Sequence, residues 1–376
     1  MNNFMVVTAA IASLLFAPRP FAPPAQSAHI DWDTRTLTLI QRGAGYGRMA
    51  RLRTGEVECV FEWQGGVWLR QSRDEGKTWQ EPVLVGAWAS GVLANPEVLP
   101  LRNGSQLVFS NGRPHRSSSE AVSPPRFTIF VSRSDDAGKT WSPPSSVYEA
   151  GAEFQNGCWE PAGVQMPNGE VHLFFANEGP YTRSDEQEIT RLVSRDSGRT
   201  WGKPEAVSFR AGHRDGMPVP LLLQKGVVLA IEDNGLSGNF KPALVSPAPP
   251  GKNVLPVSGG DARRWNPLQT PLAPGVYAGA PYLRGLPSGE TVLSFQQGDD
   301  GKMDGARMAV VLGDKQARNF AALSYPFAVD GAKKGDSQLW NALFVKNPDT
   351  VTAISSTAIN GVGGVWAIDG KVVRKR

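Results

Sequence analysis

Two glutamates interrupt apolar sequence, where a carboxylate needs a partner or a task. Glu160 stands in the segment NGCWEPAG, and Glu232 follows the run VVLAI. Burying a charged group is costly unless the group is paired or hydrogen-bonded. Two carboxyl groups facing one cavity are the minimum equipment for glycoside hydrolysis, in which one attacks or assists the anomeric carbon and the other protonates the leaving oxygen. The alternative interpretation is that both are structural carboxylates in salt bridges.

Both glutamates belong to a pattern of two apolar strands joined by a tight turn, which occurs six times. Six such hairpins, each followed by an outer strand pair, predict an all-β fold, a six-bladed β-propeller. Residues 29–40 alternate like a strand and are expected to complete the sixth blade. First strands of blades line the channel, so Glu160 and Glu232 should face one pocket from the third and fourth blades. The predicted turn residues are Gly55, Gly104, Gly169, Gly226, Gly289 and Asp349.

A second repeat, Ser-x-Asp-x-Gly-x-Thr-Trp, occurs at residues 72–79, 134–141 and 194–201. Ser and Asp side chains accept hydrogen bonds from nearby backbone N–H groups and stabilise turns. Gly supplies the positive φ that such a turn needs, and Trp is a large apolar anchor. The motif therefore predicts a structural turn between the two outer strands of a blade, away from any chemistry.

These three copies resemble the Asp-box, or BNR repeat, of sialidases and related β-propellers. Further segments resemble the exo-α-1,5-L-arabinanases of glycoside hydrolase family 93. The resemblance implies a retaining hydrolase with a covalent glycosyl-enzyme intermediate, Glu160 as nucleophile and Glu232 as acid/base. It implies an oligo- or polysaccharide substrate containing α-L-arabinose. The segments are residues 45–52, 159–161, 214–220, 230–234, 278–296 and 339–346.

Eight further residues are candidates for sugar binding, each with a structural alternative. The polar ones would contact sugar hydroxyls or form ion pairs and hydrogen bonds between blades. The aromatic ones would stack on a sugar ring or pack between blades. The candidates are Arg48, Glu97, Trp159, Arg214, Asp215, Tyr277, Tyr282 and Trp340.

Two other functions stay open at this point. A sialidase needs three arginines around the substrate carboxylate, a task that suits the guanidinium fork. Arg48 stands where the first arginine would be, and Arg214 or Arg284 could supply others, but no complete triad and no nucleophilic Tyr–Glu pair can be assigned. A propeller of this kind can also be a non-catalytic glycan-binding module.

The N-terminal segment predicts export. Residues 4–16 are apolar and uncharged but too short to span a bilayer, and a Pro-rich stretch and small residues follow. We therefore expect a signal peptide over residues 1–28, one propeller domain over residues 29–376, and a secreted or periplasmic monomer that is free of the membrane after processing.

Charge and metal-ligand patterns point away from several partners. Five of the 39 basic residues lie in the N-terminal segment or the last six residues, and the other 34 face 35 acidic residues. With nearly equal numbers of basic and acidic residues, this part of the chain does not favour binding of nucleic acid. The four histidines have no metal-ligand spacing, so we expect no catalytic metal and no cofactor. Cys59 and Cys158 could form a disulfide or remain buried thiols.

Overall fold

A computed structural model describes residues 28–115, 124–235, 238–251, 255–333 and 335–374. These residues form 24 β-strands and one short 3₁₀ helix, Phe154–Asn156. The strands build six antiparallel four-stranded sheets, which confirms the predicted six-bladed β-propeller. In the described ranges, no helix is long and apolar enough to cross a membrane. The predicted signal peptide lies outside the described residues, apart from Ala28 at the start of the first strand.

Each blade consists of four antiparallel strands, beginning with the strand that lines the channel. Blades 1 to 3 consist of β2 (Gly45–Arg51), β3 (Val57–Trp63), β4 (Gly66–Ser72) and β5 (Val83–Gly86); β6 (Gly91–Pro100), β7 (Gln106–Pro114), β8 (Thr128–Ser134) and β9 (Ser145–Glu149); and β10 (Cys158–Gln165), β11 (Val171–Asn177), β12 (Glu188–Ser194) and β13 (Glu205–Ser208). Blades 4 to 6 consist of β14 (His213–Leu223), β15 (Gly226–Gly235), β16 (Lys241–Val245) and β17 (Arg264–Trp265); β18 (Tyr277–Gly285), β19 (Thr291–Gly298), β20 (Arg307–Gly313) and β21 (Ala321–Ser324); and β22 (Leu339–Asn347), β23 (Thr350–Ile359), β24 (Val362–Arg374) and β1 (Ala28–Arg42).

Blade 6 is assembled from both ends of the described chain. Strand β1 pairs with β24, with Ile30 opposite Val372 and Leu39 opposite Trp366. This confirms the expectation that the strand-like segment before the first hairpin completes the sixth blade. Pairing of β1 with β24 therefore joins the two ends of the described chain within one sheet and closes the ring of blades.

The three Asp-box turns lie between the third and fourth strands of blades 1, 2 and 3, as predicted. In the first copy the Ser72 hydroxyl accepts a hydrogen bond from the Gly76 N–H and donates one to Asp74, both at 2.8 Å. Asp74 also accepts hydrogen bonds from the N–H and hydroxyl of Thr78 at 2.8 and 2.7 Å. The same bonds recur in the other two copies. The motif is therefore a self-contained structural turn.

Apolar packing between neighbouring blades forms the core. Trp201, the anchor of the third Asp-box, meets Phe109 of blade 2 edge to face, with ring centroids 6.1 Å apart. Cys59 in blade 1 and Cys158 in blade 3 are both buried and unpaired. The thiols therefore behave as small core residues. The inner hairpin turns also lie where the sequence predicts them, because every predicted turn glycine has a positive φ and Asp349 lies between β22 and β23.

Candidate active site

The first strand of every blade is interrupted by a β-bulge at the same place. Each bulge is a register shift against the second strand. One non-glycine residue in each adopts a φ of 46–54°, which is uncommon for such residues. Bulges bend a strand and re-aim its side chains, and they are common beside active sites. The six residues, which we call the bulge ring, are Tyr46, Asn95, Glu160, Met217, Ala280 and Trp340.

The bulge ring lies around the propeller axis. Tyr46, Met217, Ala280 and Trp340 pack together although they come from blades 1, 4, 5 and 6. The rings of Tyr46 and Trp340 have centroids 6.0 Å apart. The other two members, in blades 2 and 3, are polar. The ring is therefore apolar on one side and polar on the other, and Glu160 is the one carboxyl group among the six.

Glu232 reaches this ring from the second strand of blade 4. Its Oε2 accepts a 2.8 Å hydrogen bond from the N–H of Ala280, in the bulge of blade 5. Side chains from the preceding blade hold three other bulges in the same way, so Glu232 also links two blades. The three bonds are Glu62 to the Asn95 N–H at 2.5 Å, Ser356 to the Tyr46 N–H at 2.9 Å and Gln296 to the Trp340 N–H at 3.0 Å.

Two glycines let the Glu232 carboxylate approach the backbone closely. A Cβ at Gly216 would lie 3.0 Å from Glu232 Oε1. A Cβ at Gly279 would lie 2.9 Å from Glu232 Oε2 and 2.5 Å from the Tyr277 hydroxyl. Neither space exists for a larger residue unless the carboxylate moves. The Glu232 carboxylate therefore occupies space that is free only because residues 216 and 279 are glycines.

Glu160 and Glu232 interact with each other, and both are partly exposed to solvent. Burial and, second to it, the negative charge of Glu232 together raise the pKa of Glu160 to about 8, against the opposing effect of Arg113. Burial also raises the pKa of Glu232 to about 7, against the opposing effects of the Ala280 N–H and Arg214. Near neutral pH the pair therefore holds about one proton. Catalysis needs this state, in which one carboxyl group can act as the acid and the other as the nucleophile.

Arg214 lies beside both carboxyl groups and lowers the pKa of each. It forms an ion pair with Glu178, which directly follows the second strand of blade 3. Glu178 is also held by a 3.0 Å hydrogen bond from the Gln187 amide. Arg214 was predicted as a sugar ligand, and the structure brings it to the two glutamates with its charge partly neutralised by Glu178.

Below the bulge ring, four charged or phenolic side chains close the channel. Glu97 lies 3.5 Å from Arg48 and 3.6 Å from Arg284, and the Tyr282 hydroxyl donates to its two oxygens at 3.1 Å. Arg48, Glu97 and Tyr282 are 1–6% exposed. Their polar groups are bonded to one another and they form a floor, which favours the structural alternative, while their role as sugar ligands stays a prediction.

Asp215 also lies in a structural ion pair. Its side chain is completely buried, forms an ion pair with Arg264 and accepts a 2.5 Å hydrogen bond from the Ser208 hydroxyl. Its neighbour Arg214 points to the glutamates, and alternation along a strand sends Asp215 to the other face. This burial favours the structural alternative for Asp215, and its role as a sugar ligand stays a prediction.

The three remaining aromatic candidates lie close to the glutamates, and two of them are buried by packing against neighbouring side chains. Trp159 is buried between Phe127 and Phe154, with ring centroids 4.8 Å from each. Tyr277 is buried beside Glu232 and accepts a 2.7 Å hydrogen bond from the Gln296 amide. Trp340 remains half-buried in the bulge ring. Of the three, Trp340 retains surface that a ligand could contact.

Sequence reasoning missed several residues around the pair, notably Tyr46, Asn95, Glu62, Glu178 and Arg113. Two signals could have found some of them. Glu62 holds in blade 1 the register position that Glu232 holds in blade 4, opposite the residue before the bulge. In addition, four bulge residues are followed by proline, an X-Pro step that recurs within the first strands of the blades. These steps are Asn95-Pro96, Glu160-Pro161, Met217-Pro218 and Ala280-Pro281.

The sequence model of the BNR repeat-like domain matches residues 123–230, which begin before the third strand of blade 2 and end in blade 4. This supports the Asp-box interpretation. No curated protein sequence matches the chain. Because the matched part is less than a third of the chain, the wider comparison rests on solved structures.

Three solved structures share the fold over nearly the whole chain. A Dyadobacter fermentans protein of unknown function has a TM-score of 0.72 at 17% identity, over 93% of this chain and 100% of that one. A family GH93 α-L-arabinofuranosidase of Fusarium graminearum, complexed with arabinobiose, scores 0.66 at 19% identity, over 93% and 97%. A Penicillium chrysogenum α-L-arabinanase, complexed with arabinobiose, scores 0.64 at 16% identity, over 94% and 99%. Sialidases share the fold at lower scores, 0.60 and 0.55. These likenesses show the fold, which is common to both kinds of hydrolase.

Proposed function

We propose that this protein is a glycoside hydrolase acting on the chain ends of α-L-arabinose-containing polysaccharide, with Glu160 as nucleophile and Glu232 as acid/base. The observation that carries the proposal is the pair of interacting carboxyl groups on adjacent blades, both with raised pKa and both open to solvent. The arabinobiose complexes of two proteins of this fold support the choice of sugar.

The reaction would proceed in two steps. Glu232 gives its proton to the glycosidic oxygen while a Glu160 oxygen attacks the anomeric carbon, so the C–O bond to the leaving group breaks and a glycosyl ester forms. Glu232 then takes a proton from water as the water oxygen attacks the same carbon. The ester bond breaks, Glu160 leaves as a carboxylate and Glu232 is protonated again. The sugar keeps its anomeric configuration.

The electrostatics of the unliganded site favour a different starting distribution of the proton. Glu232 accepts the Ala280 N–H at 2.8 Å, and this hydrogen bond favours its ionised form. The proposed roles therefore require the proton to move from Glu160 to Glu232 when substrate binds. The reverse assignment, with Glu232 as nucleophile, needs no such transfer, and the two assignments give different products in the experiment below.

The arrangement of arginines argues for a neutral sugar over sialic acid. Arg48 and Arg284 do converge beside Tyr282, as a sialidase would require, but both point at Glu97. Arg214 is paired with Glu178. A substrate carboxylate would have to displace an internal carboxylate to reach them. Secretion, expected from residues 1–28, agrees with a polymeric substrate outside the cell.

The test compares the parent protein with Glu160→Gln and Glu232→Gln on linear α-1,5-arabinan and 4-nitrophenyl α-L-arabinofuranoside, with sialyl-lactose as the counter-substrate. We expect arabinose-containing products and a loss of about 10²–10⁴ in rate for Glu232→Gln. The exposed Glu75→Gln is the matched control and should keep full activity. Sialic acid release, or binding of glycans without cleavage of any of the three, would overturn the proposal.

Azide assigns the roles. With the activated aryl substrate, azide can replace the missing base in an acid/base variant and yields a glycosyl azide of retained configuration. In a nucleophile variant, azide attacks directly and yields the inverted configuration. Retained product from Glu232→Ala and inverted product from Glu160→Ala would support the proposed roles, and the opposite pattern would reverse them.

A further inference from the structure

A cavity of about 740 Å³ lies between blades 2 and 3. It is bounded by the end of β7, the start of β8 and the segment before β10 that contains the 3₁₀ helix. Glu160 is the third residue of β10, so the cavity opens on the same face of the propeller as the bulge ring. Its volume falls in the range of about 300–1,000 Å³ that is typical of ligand pockets.

One wall of the cavity is an aromatic platform. Phe154 is 67% exposed, and its ring lies 4.8 Å from that of Trp159 and 6.1 Å from that of Phe127. The two supporting rings are buried. A lone exposed apolar side chain needs no explanation, but this one is held in place and lines a cavity with polar groups. The polar groups on the rim are Arg113, His115, Glu153 and Gln155.

Arg113 joins the cavity to the pair of glutamates. Its guanidinium donates a 2.6 Å hydrogen bond to Asn95, the member of the bulge ring next to Glu160, and a 2.9 Å hydrogen bond to Asn111. It also lies 5.4 Å over the Trp159 ring. A chain whose terminal sugar sits at Glu160 therefore has a continuous path along Arg113 onto the Phe154 ring.

We propose that this cavity binds the part of a neutral oligosaccharide chain that extends beyond the sugar held at the two glutamates. The inference rests on the proposed glycosidase function for its reacting end. A sugar ring offers an apolar C–H face to Phe154 and hydroxyl groups to the polar rim. A second cavity, of about 970 Å³ between blades 5 and 6, does not fit the same ligand. Among the described residues that line it there is no exposed aromatic side chain. Four of these residues are aspartates: Asp299, Asp300, Asp304 and Asp336.

The experiment measures binding of α-1,5-L-arabino-oligosaccharides, from the biose to the hexaose, by calorimetry in the inactive Glu232→Gln background. We expect affinity to rise with chain length and Phe154→Ala to remove about tenfold of the gain between biose and hexaose. Phe154→Trp, which keeps an aromatic face, should preserve the gain. Leu323→Ala, which truncates a 48% exposed residue on the outer strand of blade 5, should leave it unchanged.

The outcomes separate this inference from the proposed function. The cavity inference would be overturned if affinity rose equally with chain length in Glu232→Gln and in the same protein with Phe154→Ala added. It would also be overturned if no oligosaccharide bound. Length-dependent binding that falls in Phe154→Ala, together with no cleavage of the aryl arabinofuranoside by the parent protein, would support the cavity and overturn the proposed function.

Discussion

Replacing Glu97 by Gln should destabilise the propeller strongly, because Glu97 is the shared counter-charge of two arginines in the channel. Arg48 is almost completely buried, and Arg284 is about three-quarters buried. The substitution keeps the size of the side chain and one hydrogen bond to Tyr282, and it removes the negative charge alone. The loss therefore measures the ion cluster and not a cavity.

The distances set the expected magnitude. At 3.5 and 3.6 Å, each arginine attracts the carboxylate by about 5 kcal/mol at an effective dielectric constant of about 20. Desolvation of the carboxylate costs several kcal/mol and offsets part of this attraction. Removing one partner of a buried cluster leaves the other charges uncompensated and typically costs about 3–5 kcal/mol. We therefore expect Glu97→Gln to lower the free energy of unfolding by that amount.

The assay is urea unfolding followed by tryptophan fluorescence at pH 7. Glu75→Gln is the control, because it removes the same charge from an exposed ion pair with Arg51 at 2.7 Å. Exposed pairs are worth about 0–1 kcal/mol. A loss below 1 kcal/mol for Glu97→Gln, or equal losses for the two variants, would mean that Glu97 is uncharged in the folded protein and would refute the reasoning.

Three further predictions concern Glu58, the pair of glutamates in the candidate site and one glycine. Burial raises the pKa of Glu58 to about 8, so the folded protein keeps a proton that the unfolded chain loses, and stability falls as pH rises from about 4.5 to about 8. Glu58→Gln should therefore stabilise by about 3 kcal/mol at pH 7 and by almost nothing at pH 4, measured by urea unfolding. A pH profile of kcat/KM should be bell-shaped, falling below about 7 as Glu160 and Glu232 both bind protons and above about 8 as both ionise; a flat profile would contradict the paired roles. Gly279→Ala should lower kcat/KM about 10²-fold, because its Cβ would displace the Tyr277 hydroxyl and the Glu232 carboxylate, whereas Gly275→Ala, which meets nothing within 4 Å, should not.

The fold could be predicted from the sequence because its turns depend on interactions between residues that are close together in the chain. Each Asp-box turn is held by bonds among residues at most four positions apart, such as Asp74 to Thr78, so an eight-residue pattern specifies it completely. The turn glycines are equally local, because a positive φ at Gly55 or Gly104 is a property of one residue. Repetition then gave the number of blades.

The residues of the candidate site could be predicted from the sequence only in part. Glu160 and Glu232 were found because each is a carboxylate in apolar sequence. The sequence could not separate them from Glu97 and Asp215, which also interrupt apolar strands. Those two carboxylates are distinguished by partners more than forty positions away: Arg284 for Glu97 and Arg264 for Asp215.

The sequence by itself therefore determined what depends on neighbours along the chain: the repeated hairpins, the Asp-box turns and the two unusual glutamates. The tertiary structure alone decided which of the carboxylates in apolar sequence face solvent and which are buried and paired with arginines. That division depends on closing six blades around one axis, which brings Arg48, Glu97 and Tyr282 from three blades into contact. The free energy of a buried charge is set by such contacts, and no local pattern records them.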